Sequence, residues 1–190
     1  MCGIAGIMTV DGAAPALAAL DAMQAALHHR GPDGVGRHLG DGIGLVHTRL
    51  AIIDLETGDQ PIISPDGTAL IANAEIYNYL ELRETLTEAP LQTQSDCEPA
   101  LYLYNRDGID FANKLRGMYA IAIHDPGEGQ LLLARDPFGI KPLYYVEGSF
   151  GFAFASEPTA LIKAGLVRVP LNARLSLDEH ADMLAGSHAT

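Results

Sequence analysis

Cys2-Gly3-Ile4-Ala5-Gly6-Ile7-Met8, directly behind Met1, reads as a short apolar strand that begins on a thiol. If Met1 is removed, the thiol and a free α-amine share one residue. An α-amine titrates at about 7.7–8.0, so part of it is unprotonated at neutral pH. It can then take the thiol proton through a water, and the thiolate is the reactive form. An N-terminal amine is a recognised activator of a side-chain nucleophile. The competing reading is a cysteine packed as a small apolar residue.

Outward from this strand, β-rich runs alternate with amphipathic helical ones. Residues 14–27 form a helix pattern with Leu17, Leu20, Met23 and Leu27 on one face. Gly31-Pro32-Asp33-Gly34 is a loop, and residues 35–39, 43–53 and 68–72 read as strands, with Ser64-Pro65-Asp66-Gly67 as the turn that pairs two of them. A helix is expected over 77–86. Another begins at Ser95, because Ser95-Asp96-Cys97-Glu98 has capping-box spacing. Residues 118–124, 130–134, 143–146 and 150–155 read as four more strands, with a helix after Ser156 that ends near Gly165. From Pro170 the chain is polar with weak periodicity. Two clusters of strands with helices over their outer faces predict a layered α+β sandwich rather than a doubly wound sheet.

Length and composition narrow the function. The 190 residues allow one domain with a substantial core, and 48% hydrophobic with 19% charged residues describes an ordinary globular protein. A net charge of −12 argues against nucleic acid or an anionic membrane as partner. The two cysteines, Cys2 and Cys97, have no disulfide-framework or zinc spacing, which fits a reducing cytoplasm. No signal peptide or membrane-length run is present. The seven histidines lack metal-ligand spacing, and there is no phosphate loop or GxGxxG fingerprint. No metal or cofactor is implied.

Several polar residues interrupt apolar runs. In His47-Thr48-Arg49-Leu50-Ala51-Ile52-Ile53-Asp54, the arginine needs a carboxylate, supplied by an internal ion pair or by a ligand. Asn73, in Asn73-Ala74-Glu75-Ile76-Tyr77, is either a strand-ending turn residue or an amide donor to an oxyanion. Asp96 is either a first-turn carboxylate favoured by the helix dipole or a partner for a substrate ammonium. Arg135-Asp136-Pro137-Phe138-Gly139-Ile140-Lys141-Pro142 reads as an architectural turn. Taken together, a thiol nucleophile, a carboxylate-binding arginine, an amide donor and an ammonium-binding aspartate describe an amidase for a free amino acid, and glutamine fits.

These motifs, in this order, resemble the glutaminase domain of class II glutamine amidotransferases, in the asparagine synthetase branch of the N-terminal-nucleophile hydrolases. The resemblance rests on residues 2–6, Arg30-Gly31-Pro32-Asp33, 47–55, Gly58-Asp59-Gln60-Pro61, 73–79, 95–98, 115–125, 135–145 and 154–157. It implies a four-layer αββα sandwich over residues 2–165, with 166–190 as a tail. It implies that Cys2 attacks the side-chain amide of L-glutamine, with the Asn73 side chain and the Ala74 N–H as oxyanion donors. Arg49 would take the α-carboxylate and Asp96 the α-ammonium, with Leu50, Ala51, Ile52, Ile53 and Glu75 completing the pocket. The family pattern has glycine where this chain has Ala74. Alanine still supplies an N–H, and costs roughly 1 kcal/mol of strain only if position 74 lies at φ > 0. The Ser-Gly-Gly-rich loop of an ATP-pyrophosphatase domain does not occur in these 190 residues. The resemblance implies a synthetase domain or subunit in trans as the ammonia acceptor, the chain being a part of a longer protein, a stand-alone glutaminase or a diverged remnant. A catalytically weakened glutamine-binding or docking module is the alternative.

Overall fold

The structure, a computed structural model, describes residues 1–167. In chain order the elements are β1 (Gly3–Thr9), α1 (Leu17–Leu27), β2 (Gly34–Gly40), β3 (Ile43–Arg49), β4 (Ile62–Ile63), β5 (Ala69–Ile76), α2 (Tyr79–Glu84), α3 (Glu98–Asp107), β6 (Gly117–Asp125), β7 (Gln130–Arg135), β8 (Tyr144–Gly148), β9 (Gly151–Ala155) and α4 (Pro158–Lys163). The strands form two antiparallel sheets, ordered β2-β3-β1-β9-β8 and β4-β5-β6-β7.

Strand alternation sorts the core into layers. One set of faces meets between the sheets, where Ile4, Ile43, Leu45 and Phe154 pack against Ile71, Ala120 and Ala122. The opposite faces carry Ala5, Ile7, Val46 and Ala155, which pack under Leu20, Met23 and Leu27 of α1 and Leu161 of α4. On the far side Leu70, Ala72, Ile121 and Ile123 pack under Leu82 of α2 and Leu101 and Leu103 of α3. The order is therefore helix, sheet, sheet, helix, as the expected αββα sandwich requires. Glycine at position 6 serves this packing, since a Cβ there would lie 2.5 Å from the Phe154 ring.

The elements differ from expectation in several places. The strand expected over 68–72 runs on as Ala69–Ile76, so Asn73 lies inside a strand and not at its end, and the turn at Ser64–Gly67 joins it to β4. The strand expected over 43–53 stops at Arg49, where both neighbours run out: β1 pairs as far as Gly3↔Thr48 and β2 as far as Gly34↔Arg49. The next N–H groups turn to side chains, Leu50 to Cys2 Sγ and Ala51 to Asp33 Oδ2. The capping box does not form. Helix α3 begins at Glu98, and Ser95 Oγ accepts the Cys97 N–H instead. The buried Glu98 carboxylate accepts the N–H groups of Gln92 (2.6 Å) and Thr93 (3.0 Å), so it anchors the preceding loop rather than closing a cap. The helices expected over 14–27 and 77–86 are shorter, at Leu17–Leu27 and Tyr79–Glu84. The two-residue β4 carried too little periodicity to be foreseen. Nearly all of the tail expected over 166–190 lies outside the described residues. Among the described residues no helix is long and apolar enough to cross a membrane.

Candidate active site

The antiparallel register of β1 and β3 sets the site. Pairing of Gly3 with Thr48 brings Cys2 beside Arg49 and Leu50 at one end of the sandwich. The Cys2 thiol touches Leu50 twice: Sγ accepts its N–H at 3.4 Å and lies 3.7 Å from its carbonyl. Behind it, Arg30 Nε donates to the Cys2 carbonyl at 3.0 Å, and Arg30 Nη1 is tied to Glu157 at 2.8 Å. The Cys2 segment is thus held through its backbone by an ion-paired arginine.

A cavity of about 100 Å³ opens here between the ends of the two sheets. Cys2, Arg49, Asn73, Ala74, Glu75 and Asp96 all line it, from segments far apart in sequence. Leu50, Ile52 and Ile53 line it as well. Ala51 does not; its N–H is turned away to Asp33 Oδ2 at 2.9 Å. That places Ala51 as a brace between the β3 end and the Arg30–Asp33 loop, not as part of the wall.

Arg49 makes the internal ion pair that the sequence left open beside a ligand. Its guanidinium Nη1 pairs with Asp59 at 2.8 Å, and Nη2 donates to the carbonyls of Asp54 and, at 3.5 Å, Ile53. It is buried at 8% exposure, yet it borders the cavity. The loop it grips is also the cavity wall.

Strand β5 contributes through the alternation of its backbone. Successive N–H groups of a strand point to opposite sides. Along β5 the odd residues face β6, as the Tyr77 N–H to Arg116 carbonyl bond of 2.7 Å confirms just past its end. The even residues face the other edge, where β4 covers only Ala69 and Leu70. On that edge the Ala72 N–H goes to Gln60 Oε1 at 2.6 Å and the Ile76 N–H to Asp96 Oδ2 at 2.7 Å. The Ala74 N–H lies between them, on the edge that borders the cavity. Ala74 is an ordinary strand residue opposite Tyr119, and Asp54 is the only non-glycine at positive φ among the described residues, so alanine at 74 carries no left-handed strain. The neighbouring Asn73 side chain is buried, and its Nδ2 has no hydrogen-bond partner among the described residues. An unused buried donor of this kind is costly unless a ligand meets it.

Asp96 is 5% exposed. Burial pushes its carboxyl above the usual range, the Ile76 N–H and the Cys97 thiol pull it down, and nearby Glu75 adds to the rise, which prevails. A carboxylate so placed is stabilised by an arriving cation. His47 lies on β3 two residues before Arg49. Burial lowers its pKa to about 4; the Ala72 carbonyl opposes this shift, Arg49 adds to it, and Asp59 opposes it. Its ring is close enough to the Ala72 carbonyl to feel it, but neither nitrogen completes a hydrogen bond.

Sequence reasoning missed Gln60, Cys97 and Lys141, which also line the cavity. Gln60 lay in a quoted motif, with no property of its own to separate it from a loop glutamine. The turn that delivers Lys141 is architectural, as expected: the Asp136 carboxylate accepts the N–H groups of Ile140 (2.9 Å) and Lys141 (3.0 Å), and Arg135 Nε donates to the Lys141 carbonyl at 2.8 Å.

The model of the glutamine amidotransferase domain matches residues 1–183. The chain belongs to that family. Among curated relatives, this amidotransferase domain is 41% identical over 167 residues to "Asparagine synthetase [glutamine-hydrolyzing] 2" of Bacillus subtilis, covering 85% of the chain and 22% of the relative. It is also 41% identical over 164 residues to "Asparagine synthetase [glutamine-hydrolyzing] 3" of Arabidopsis thaliana, covering 85% of the chain and 28% of the relative. The chain thus spans less than a third of the length of either. Among solved structures, the glutamine phosphoribosylpyrophosphate amidotransferase of B. subtilis superimposes with a TM-score of 0.67 at 24% identity, over 86% of this chain and 44% of that one. This last likeness is one of fold.

Proposed function

We propose that this domain hydrolyses the side-chain amide of L-glutamine to glutamate and ammonia, with Cys2 as nucleophile. After removal of Met1, the Cys2 α-amine takes the thiol proton and the thiolate attacks the amide carbon. The Asn73 amide and the Ala74 N–H receive the tetrahedral oxyanion. Collapse breaks the carbon–nitrogen bond; the leaving nitrogen takes the proton and departs as ammonia, leaving a γ-glutamyl thioester. Water then attacks the thioester, releasing glutamate and restoring the thiol. Arg49 holds the α-carboxylate, Asp96 with Glu75 holds the α-ammonium, and the backbone of Leu50, Ile52 and Ile53 forms the wall. The cysteine proposed as nucleophile shares the cavity with both charged partners, and that arrangement supports the reading most strongly.

The names of the curated relatives place glutamine hydrolysis beside asparagine synthesis. We take residues 2–165 as the catalytic unit and a synthetase domain or subunit, in the cytoplasm, as the ammonia acceptor. Ammonia release from glutamine by the chain, measured against Cys2→Ala, tests the reaction. Turnover that persists in Cys2→Ala refutes it.

A further inference from the structure

We propose that Gln60 is a positioning residue for the oxyanion site, its side chain standing in for the strand that β5 lacks beyond Leu70. This rests on the reading of Ala74 as an oxyanion donor. The register that pairs Ile62 with Leu70 and Ile63 with Ala69 places Gln60 opposite Ala72. At that step the ladder continues through a side chain: Gln60 Oε1 accepts the Ala72 N–H at 2.6 Å. Two residues on, the Ala74 N–H is left to the cavity; two further, the Ile76 N–H is held by Asp96 at 2.7 Å.

An isolated strand edge beside a cavity would fray or take up water, since an exposed row of N–H groups is a weakly held structure. Here the donor at Ala74 is bracketed on both sides by fixed neighbours. Gln60 is in turn fixed from behind. Its backbone carbonyl lies against Gly36 of β2 so closely that a Cβ on residue 36 would sit 1.6 Å from the oxygen. Gln60 is buried at 9% exposure. It therefore transmits the position of one sheet to the catalytic edge of the other. Preorganisation of this kind matters because a donor aimed at a developing oxyanion acts only if it need not move during the reaction.

The test uses the full chain. Native-state amide exchange in the unmodified protein should rank Ala74 well above Ala72 and Ile76 in rate. A rate at Ala72 equal to that at Ala74 overturns the proposal without recourse to any variant. In Gln60→Met, which keeps the length and loses the acceptor, Ala72 exchange should accelerate at least about tenfold, while Gln60→Glu, which keeps an acceptor oxygen, should retain protection. Glutaminase kcat of Gln60→Met should fall about tenfold or more, short of the 100- to 1,000-fold expected for loss of a whole donor, with KM within about threefold. Unchanged kcat in a folded Gln60→Met, or a rise in KM alone, contradicts the positioning role. If the unmodified chain shows no Cys2-dependent turnover, the reading of the site fails instead, and the exchange ranking still judges Gln60.

Discussion

Asp96 Oδ2 accepts the Ile76 N–H at 2.7 Å, so the proposed ammonium-binding carboxylate is bonded to the same strand edge that carries Ala74. In the proposed site, ammonium binding and oxyanion geometry are therefore coupled through one side chain. Asp96→Asn keeps an oxygen acceptor but removes the charge. It should raise KM for glutamine by about 10- to 100-fold, as expected for loss of a charged hydrogen bond, with a much smaller change in kcat. Asp96→Leu also releases Ile76, so it should lower the melting temperature and kcat together. Steady-state kinetics and thermal melts of the two variants separate these effects.

Arg49→Lys tests the carboxylate subsite. An ammonium cannot span Asp59, the loop carbonyls and a substrate carboxylate as the planar guanidinium can. KM should rise by about tenfold or more. An unchanged KM would show that Arg49 serves only its internal partners.

Buried His47 gives the fold a pH dependence of defined sign. In the unfolded chain it titrates near 6.5, and in the fold near 4. As pH falls through this interval the unfolded state binds a proton that the folded state refuses, so stability declines on acidification, and the His47 contribution levels off below about pH 4. The full interval is worth about 3 kcal/mol. His38 and His124, also lowered by burial, contribute in the same direction. Denaturant midpoints at pH 7, 5.5 and 4.5 should show the loss, and His47→Gln should remove a large part of it.

Gly36→Ala forces a methyl onto the Gln60 carbonyl. Overpacking typically costs about 1–3 kcal/mol. Because the displaced residue is Gln60, kcat should fall with stability, whereas Gly127→Ala, on a distant turn where the nearest atom to the new Cβ is 3.3 Å away, should leave kcat unchanged.

Much of this molecule was legible in its sequence. The period-3.6 run ending at Leu27 announced a covering helix, which buries Leu20, Met23 and Leu27, and the short apolar run at 68–72 announced a strand, which the fold buries on both faces. Cys2, Arg49, Asn73 and Asp96 stood out as reactive or charged residues beside apolar neighbours. What stayed hidden depends on register. The end of β3 at Arg49 follows from where its two partners stop, which no local pattern encodes. Ser95 and Glu98 have capping spacing, but the loop at Gln92 and Thr93 offers Glu98 better donors. Gln60 acquires meaning only opposite Ala72, 12 residues away across a turn.

The central claim is that Cys2, freed of Met1, is the nucleophile. Intact-mass spectrometry after treatment with the glutamine-analogue electrophile diazo-oxo-norleucine tests it most directly. The account predicts a chain lacking Met1, a single adduct, and no adduct in Cys2→Ala. A chain that retains Met1 yet turns over glutamine, or an adduct that survives in Cys2→Ala, contradicts it.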